Sequence, residues 1–236
     1  MRALLLIAFG IVIFQNVQAQ GFKTSLLFSP GISRYNSTNL DIRNRDMKFC
    51  FSGGIREEYF FERVFSLGLE LEYLNISGSF ISATPPINTI PIPEEYSHFK
   101  HIFSVNSIEI PLFFRLRTKG EVTKGISFYF GTGLSKVLNA DRDITLESGY
   151  MGLPPAEIIP VANGKVKIKN GNNNQLGTIG VLGVGKHFAI KNKTFFCEIK
   201  YRFDLNNWVY PTFGDPMNKS FDIKRRCLLL NVGITF

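Results

Sequence analysis

A glycine-rich stretch, Gly180-Val-Leu-Gly-Val-Gly-Lys-His187, comes closer than any other part of this sequence to a chemical motif. It nearly matches the loop that cradles nucleotide phosphates, in which a Ser or Thr after the lysine holds magnesium. His187 takes that position here, and no helical pattern follows to offer an N-terminus to a phosphate. The sequence therefore predicts a glycine-rich strand and no nucleotide site.

Two histidines, His98 and His101, are close enough in sequence to share a site. Two imidazoles do not complete a metal site. Together with Ser97 or Ser104 they are the only local candidates for a nucleophile and its base, and nothing in the sequence fixes their geometry. We therefore expect a solvated loop here, and we expect the protein to have no catalytic residue, no metal and no cofactor.

The cysteines Cys50, Cys197 and Cys227 are too few and too widely spaced for a disulfide-stapled scaffold. They also lack the C-x-x-C spacing of a metal site. We expect them to be small buried residues.

The beginning of the chain resembles an export signal. Arg2 provides a positive start, Ala3 to Phe14 are apolar, and Val17-Gln-Ala19 ends in a small residue suited to cleavage. The apolar run is shorter than the roughly 20 residues of a membrane-spanning helix. The sequence predicts a signal peptide over residues 1–19 and one domain over residues 20–236.

The chain is basic, with 27 Lys and Arg against 19 Asp and Glu and a formal net charge of +8. The charges are scattered, and an exported chain seldom meets nucleic acid. We therefore exclude nucleic acid as a partner and expect attraction to anionic lipid head groups or a solvated surface.

Strict alternation of apolar and polar residues recurs after the signal, as it must on the two faces of a β-strand. In the clearest segment, Val64 to Leu74, Leu67 and Leu69 fall on one face and Glu70 and Glu72 on the other. The eight predicted strands are Phe22 to Ser33, Lys48 to Arg56, Val64 to Leu74, Val105 to Arg117, Gly125 to Val137, Leu176 to His187, Thr194 to Leu205 and Lys224 to Phe236.

The predicted connections alternate in length. The short ones are Glu57 to Arg63, Thr118 to Lys124 and Phe188 to Lys193, and the long ones are Arg34 to Met47, Asn75 to Ser104, Leu138 to Gln175 and Asn206 to Ile223. Tight inner turns and long outer loops are typical of membrane barrels. The sequence thus predicts an all-β fold, an eight-stranded antiparallel up-and-down transmembrane β-barrel, in which part of the fifth connection, Glu147 to Asn174, extends as a hairpin.

A soluble barrel with apolar residues inside would show the same alternation. The strand lengths suit a tilted crossing of an apolar band of roughly 25 Å, and the polar faces carry charged and small residues that suit a narrow interior. Unpaired charges there would be costly, so we predict a mutually compensating ion-pair network in the barrel lumen. Its predicted members are Glu70, Glu72, Glu109, Arg115, Glu198, Lys200 and Arg202.

The last strand alternates and stops on Phe236, which resembles the terminal signal that the outer-membrane barrel-assembly machinery recognises. Three segments, Ser107-Ile-Glu-Ile-Pro-Leu-Phe-Phe-Arg115, Phe128-Tyr-Phe-Gly-Thr-Gly-Leu-Ser135 and Glu198-Ile-Lys-Tyr-Arg202, are similar to those of the outer membrane protein beta-barrel family that includes PorT-like proteins. The resemblance implies an outer-membrane barrel of a Gram-negative cell. It also implies an alternative role as an accessory of protein secretion or envelope assembly.

Function on this interpretation resides in the outer loops, since rigid scaffolds commonly present binding surfaces on loops. We expect a non-enzymatic, monomeric barrel with a structural, adhesive or ligand-binding role. Its expected partners are outer-membrane lipid, the barrel-assembly machinery and envelope or secretion proteins. An outer-membrane lipid-modifying enzyme or protease is the remaining, least favoured alternative.

Overall fold

The computed structural model describes residues 21–37, 42–61, 64–83, 97–119, 125–148, 157–165, 169–170, 175–191, 193–211 and 220–236. The predicted signal peptide, residues 1–19, lies outside them. Within these ranges no helix is long and apolar enough to cross a membrane.

The described residues form one antiparallel sheet of twelve strands. The strands are β1 (Phe22–Ser37), β2 (Ile42–Asp46), β3 (Lys48–Phe60), β4 (Phe65–Ala83), β5 (Ser97–Arg117), β6 (Ile126–Ser148), β7 (Glu157–Lys165), β8 (Lys169–Asn170), β9 (Leu176–Ile190), β10 (Lys193–Asp204), β11 (Trp208–Pro211) and β12 (Ser220–Thr235).

Eight of these strands close into a barrel. They pair in the order β1-β3-β4-β5-β6-β9-β10-β12, and β12 pairs back onto β1. Closure leaves no unpaired edge along the barrel wall. The predicted eight-stranded antiparallel barrel is confirmed, and the strands β2, β7, β8 and β11 add pairing beyond it.

The predicted limits of the long loops are wrong, because several strands continue into them. β4 runs on to Ala83 and β5 begins at Ser97, where the sequence predicted a loop from Asn75 to Ser104. The two extensions pair with each other as far as Ala83 and His98. The first, fifth and seventh predicted loops also contain strand, in β2, β7, β8 and β11 and in the extended ends of β1, β6 and β12.

A hairpin was predicted within Glu147 to Asn174, and the structure has one. β6 continues to Ser148 and pairs with β7 from Ser148 opposite Glu157 to Asp141 opposite Lys165. The hairpin therefore begins earlier than predicted, within β6 itself.

The apolar face of each barrel strand points outward. On β4, Leu71 is 52% exposed whereas its neighbours Glu70 and Glu72 are buried, and on β6 Phe128 is 51% exposed whereas Ser127 is buried. A protein dissolved in water normally buries such residues, so an outward apolar face requires another covering.

The interior of the barrel has two layers. The half near the short turns is mainly charged, with the rings of Phe113 and Tyr129 packed among the charges, whereas the half near the long loops holds a buried cluster that is largely apolar. This cluster comprises Tyr35, Cys50, Leu74, Ile76, Phe103, Val105, Val137, Ala140, Trp208, Ile223, Cys227 and Leu229. The expectation of a polar interior therefore holds for one half only.

Cys50 and Cys227 are buried in this cluster, as expected. Cys197 is a correction, because it is exposed on the outer face of β10. Its odd-numbered position alternates with the inward Glu198, so strand geometry turns it outward.

Candidate functional site

One strand, β10, supplies four successive inward-facing charges, Glu198, Lys200, Arg202 and Asp204. Alternation places side chains two residues apart on the same face, so the four lie in a row along the lumen. Their partners come from β3, β4, β5 and β12, which makes β10 the central element of the ion-pair network.

At the centre of the lumen, Glu198 lies between two arginines. Arg56 of β3 donates to it through Nη1 at 3.1 Å and Nη2 at 2.8 Å, and Arg115 of β5 donates to its Oε1 atom. Arg56 also donates through Nε to Glu70 of β4 at 2.7 Å. The two-pronged geometry is the strong form of carboxylate recognition by arginine.

Lys200 crosses the barrel to β4. Its Nζ atom donates to both carboxylate oxygens of Glu72 at 2.8 Å and also to Glu70. All three side chains are buried. The ammonium group therefore joins two glutamates that would otherwise repel each other.

Nearer the long loops, Arg202 of β10 donates through Nε to Glu109 of β5 at 3.0 Å. Asp204 accepts from Arg225 of β12 through Nε at 2.9 Å and Nη2 at 3.1 Å. The Arg225 guanidinium lies 4.6 Å from the ring centre of Trp208, where the charged layer meets the apolar layer.

Toward the short turns, Glu58 of β3 forms the last level of the network. It accepts from Arg117 and from Ser66, and it lies 3.4 Å from the Nε atom of Arg115. This level connects the central pairs to the end of the barrel.

The network joins six carboxylates to six cations, all of them buried. The carboxylates are Glu58, Glu70, Glu72, Glu109, Glu198 and Asp204, and the cations are Arg56, Arg115, Arg117, Lys200, Arg202 and Arg225. Equal numbers of opposite charges fit an environment in which an uncompensated charge is costly. The structure brings together all seven residues that the sequence assigned to the network.

Five network members were not assigned from the sequence. Arg117 and Asp204 alternate with apolar residues and lie on the same face as the assigned members, so the pattern was sufficient to predict that both belong to the network. Arg56 follows Gly53 and Gly54, which blur the two faces of β3, and Arg225 stands in a run of three basic residues whose faces differ. Glu58 lies in a segment that the sequence placed in a turn.

Arg56 is surrounded by aromatic rings. Its guanidinium carbon lies 5.3 Å from the ring centre of Phe113, 5.7 Å from that of Tyr129 and 4.8 Å from that of Phe196. Aromatic faces attract cations, and the attraction increases where water is excluded. The rings therefore stabilise the buried charge together with Glu70 and Glu198.

Each of these rings lies over a glycine on the neighbouring strand. The cross-strand pairs are Gly68 with Phe113, Gly183 with Tyr129 and Gly233 with Phe196. A Cβ atom on any of the three glycines would overlap the ring. These glycines make room for the aromatic side chains around Arg56.

The histidines do not form the predicted solvated loop, which is a correction. His98 and His101 belong to β5, and the buried His101 ring stacks on Phe103 with 6.3 Å between centroids. His101 points inward, whereas Ser104 has outward parity, so these two side chains do not face each other. No group of three or more potential metal ligands occurs among the described residues.

His187, the last residue of the glycine-rich stretch, also lies on a strand. Gly180 to His187 belong to β9, which pairs with β6 and β10 and continues to Ile190. The strand predicted for this stretch is confirmed.

No protein-family model matches the sequence, and no curated protein matches it. Among solved structures, the chain is similar to Ail, the attachment invasion locus protein of Yersinia pestis, with 12% identity, a TM-score of 0.41, and coverage of 92% of this chain and 100% of that one.

Two further solved structures are similar to this chain, and each alignment covers 92% of it. For Neisserial surface protein A the identity is 12%, the TM-score 0.40 and the coverage of that chain 98%. For the outer membrane protein OprG from Pseudomonas aeruginosa these values are 10%, 0.46 and 96%. The PorT-like resemblance rests on the sequence motifs alone.

Proposed function

We propose that this chain is an integral outer-membrane barrel with a filled lumen, which presents an extended β-sheet at the cell surface as a structural, adhesive or ligand-binding platform. The observation that carries the proposal is the reversed arrangement of the barrel wall, with apolar side chains outside and paired charges inside. The proposed role is non-enzymatic, and the protein acts as a monomeric barrel.

Lipid is the covering that suits the outer wall. Aromatic and aliphatic side chains such as Phe28, Leu71, Phe130 and Leu134 are more than half exposed and occur on strands around the barrel. Removing apolar surface from water stabilises by about 25 cal/mol per Å², so a wall of this kind favours a hydrocarbon environment. The closed sheet satisfies its backbone groups internally, as a bilayer requires.

The lumen supports a scaffold role over a transport role. Ion pairs cross it from β10 to β3, β4 and β5. A barrel of eight strands has an interior just wide enough for side chains to fill. Arg56 and Lys200 are held by two carboxylates each, which fixes them across the passage.

The two ends of the barrel differ, which gives the proposed orientation. The first and last barrel strands begin and end beside the short turns, where Phe236 donates its backbone N–H to Thr24 and Phe60 donates to Gly21. Phe236 is 66% exposed there, so the assembly machinery could reach it. We place this end in the periplasm and the extensions of β4, β5 and β6, with β7, outside the cell.

The alternative role, as an accessory of secretion or envelope assembly, would use the same surface sheet to hold a protein partner. Its support is the resemblance of the strand motifs to PorT-like proteins.

Cysteine labelling of intact cells tests the proposed orientation. Lys165→Cys places a thiol on the exposed end of β7, and Lys119→Cys places one in a short turn, both in a Cys197→Ser background. A membrane-impermeant maleimide is expected to label Lys165→Cys on intact cells and Lys119→Cys only after the outer membrane is opened. The two natural cysteines that remain are buried.

Labelling of Lys119→Cys on intact cells with protection of Lys165→Cys would reverse the orientation. Labelling of both positions only in a soluble periplasmic fraction would contradict the membrane barrel itself. The cysteine-reduced parent protein without either new thiol gives the background signal.

A further inference from the structure

Two arginines face each other on the outer wall of the barrel. The register of β1 and β12 places Arg34 directly opposite Arg226, and both side chains are exposed. Directly opposed residues have Cβ atoms about 5 Å apart, and like charges in this position destabilise a sheet. An arrangement of this kind is stabilised when an anion lies between the two cations.

Neither arginine has a carboxylate partner among the described residues, although every cation of the lumen network has one. The contrast is clear on neighbouring residues of β12, where the inward Arg225 makes a two-pronged contact with Asp204 whereas the outward Arg226 makes none. Within the part of the chain that the structure describes, Arg34 and Arg226 therefore keep their donors available to a ligand outside the barrel.

The two arginines lie at the end of the apolar outer face that is nearer the long loops. One outward position closer to the periplasm, Ile32 lies opposite Leu228, and both side chains are exposed. The change from apolar to cationic thus occurs at the same level on both strands. In the orientation proposed above, this level faces the outer leaflet of the membrane.

A cleft of about 400 Å³ lies against this pair of strands. Arg34 and Arg226 line it together with Met47, Tyr201 and Leu228. The cleft thus combines two cationic forks with an apolar surface. Such a combination fits an amphiphile whose anionic head group contacts the arginines and whose hydrocarbon follows the wall.

We propose that this cleft, which we call the diarginine cleft, binds the phosphate monoester head group of an outer-leaflet lipid. The inference rests on the proposed membrane location. Arginine binds phosphate oxygens through paired N–H donors, so two opposed guanidinium groups suit a dianionic group. A lipid-borne phosphate is favoured over a soluble one because the arginines border the apolar wall and the cleft includes apolar side chains.

Binding of diphosphoryl lipid A to the refolded full-length barrel in detergent tests the proposal. The variant Arg34→Gln/Arg226→Gln is expected to bind it about thirtyfold more weakly than the wild type, since each cation that contacts the anionic head group contributes about one kcal/mol to its binding. Lys136→Gln/Lys186→Gln is the matched control, because it removes the same charge from exposed positions elsewhere on the outer wall. It is expected to bind as the wild type does.

Two further ligands identify the source of the phosphate. Dephosphorylated lipid A is expected to bind the wild type as weakly as diphosphoryl lipid A binds the arginine variant, and inorganic phosphate is expected not to compete at equal concentration. Equal weakening by both double variants would overturn the site, and competition by inorganic phosphate at equal concentration would overturn its assignment to a lipid.

The same samples distinguish this proposal from the proposed function. Gel mobility before and after boiling reports barrel folding without reference to lipid A. A folded barrel whose arginine variant binds normally overturns only the diarginine cleft. A wild-type protein without a heat-dependent shift overturns the membrane barrel and the cleft together.

Discussion

Replacing Glu198 by Gln is expected to lower the free energy of unfolding of the barrel by about 3–5 kcal/mol. The change leaves the volume of the side chain almost unaltered but removes the carboxylate that both Arg56 and Arg115 contact. Six buried cations would then face five carboxylates. The large effect arises because a buried charge without its partner pays the cost of desolvation without compensation.

Urea unfolding of the refolded protein measures this effect. Trp208, which is the single tryptophan of the chain and is buried inside the barrel, provides a fluorescence signal for loss of the fold. Glu57→Gln is the matched control, since this residue has outward parity on β3 and its Oε2 atom accepts from Thr24 at 3.0 Å. Substitutions at surface positions usually change stability by no more than about 0.5 kcal/mol. Equal unfolding midpoints for the two variants would show that the lumen network does not stabilise the barrel.

Replacing Gly68 by Ala is expected to destabilise the barrel by about 1–3 kcal/mol, the usual cost of forcing extra volume into a packed interior. The added methyl group would overlap the ring of Phe113. That ring is buried and lies 5.3 Å from the guanidinium carbons of both Arg56 and Arg115. Moving it therefore disturbs two cations as well as its own packing.

Gly53→Ala is the control for this prediction. A Cβ atom at Gly53 meets only the backbone oxygen of Leu27 at 3.7 Å, an ordinary contact, so no loss of stability is expected. The double variant Gly68→Ala/Phe113→Leu is expected to recover part of the lost stability, because the smaller side chain leaves room for the methyl group. If the Gly68→Ala and Gly53→Ala variants had the same free energy of unfolding, the proposal that Gly68 makes room for the Phe113 ring would be contradicted.

The barrel strands and their faces could be predicted from alternation because every strand of a closed barrel turns one face to the lumen and the other to the outside. Leu69 and Leu71 had to differ from Glu70 and Glu72 whichever side faced outward. The charged residues indicated that the apolar face points outward. A row of charges such as Glu198 and Lys200 suits a lumen, where oppositely charged side chains from the opposite wall can pair with it.

The predicted strands ended too early for a physical reason. Leu74, Val105 and Val137 stand at the predicted ends, and in the structure all three point inward as part of the buried cluster near the long loops. The inward face changes there from charged to apolar. Both faces of the strand are then apolar in part, so the alternation in the sequence weakens, as it does where a strand ends. For the same reason the inward position of His101 could not be predicted. It follows only from the structure, in which β5 begins at Ser97.

The pairing within the lumen could not be predicted in detail from one sequence. Arg56 and Glu198 are 142 positions apart, and only the register and curvature of the closed sheet bring them together. Arg34 and Arg226 likewise depend on the pairing of β1 with β12. The alternation of apolar and polar residues predicts on which face of its strand each residue lies. The residues that lie beside it in the lumen depend on how the strands pair in the closed barrel.

Gel mobility of the outer-membrane fraction before and after boiling tests the central claim most directly. A lipid-embedded barrel held together by its closed sheet and buried ion pairs is expected to remain folded in cold detergent and to migrate differently from the boiled chain. We expect this shift for protein extracted from the outer membrane. Recovery of the protein from the soluble periplasm, with the same mobility before and after boiling, would contradict it.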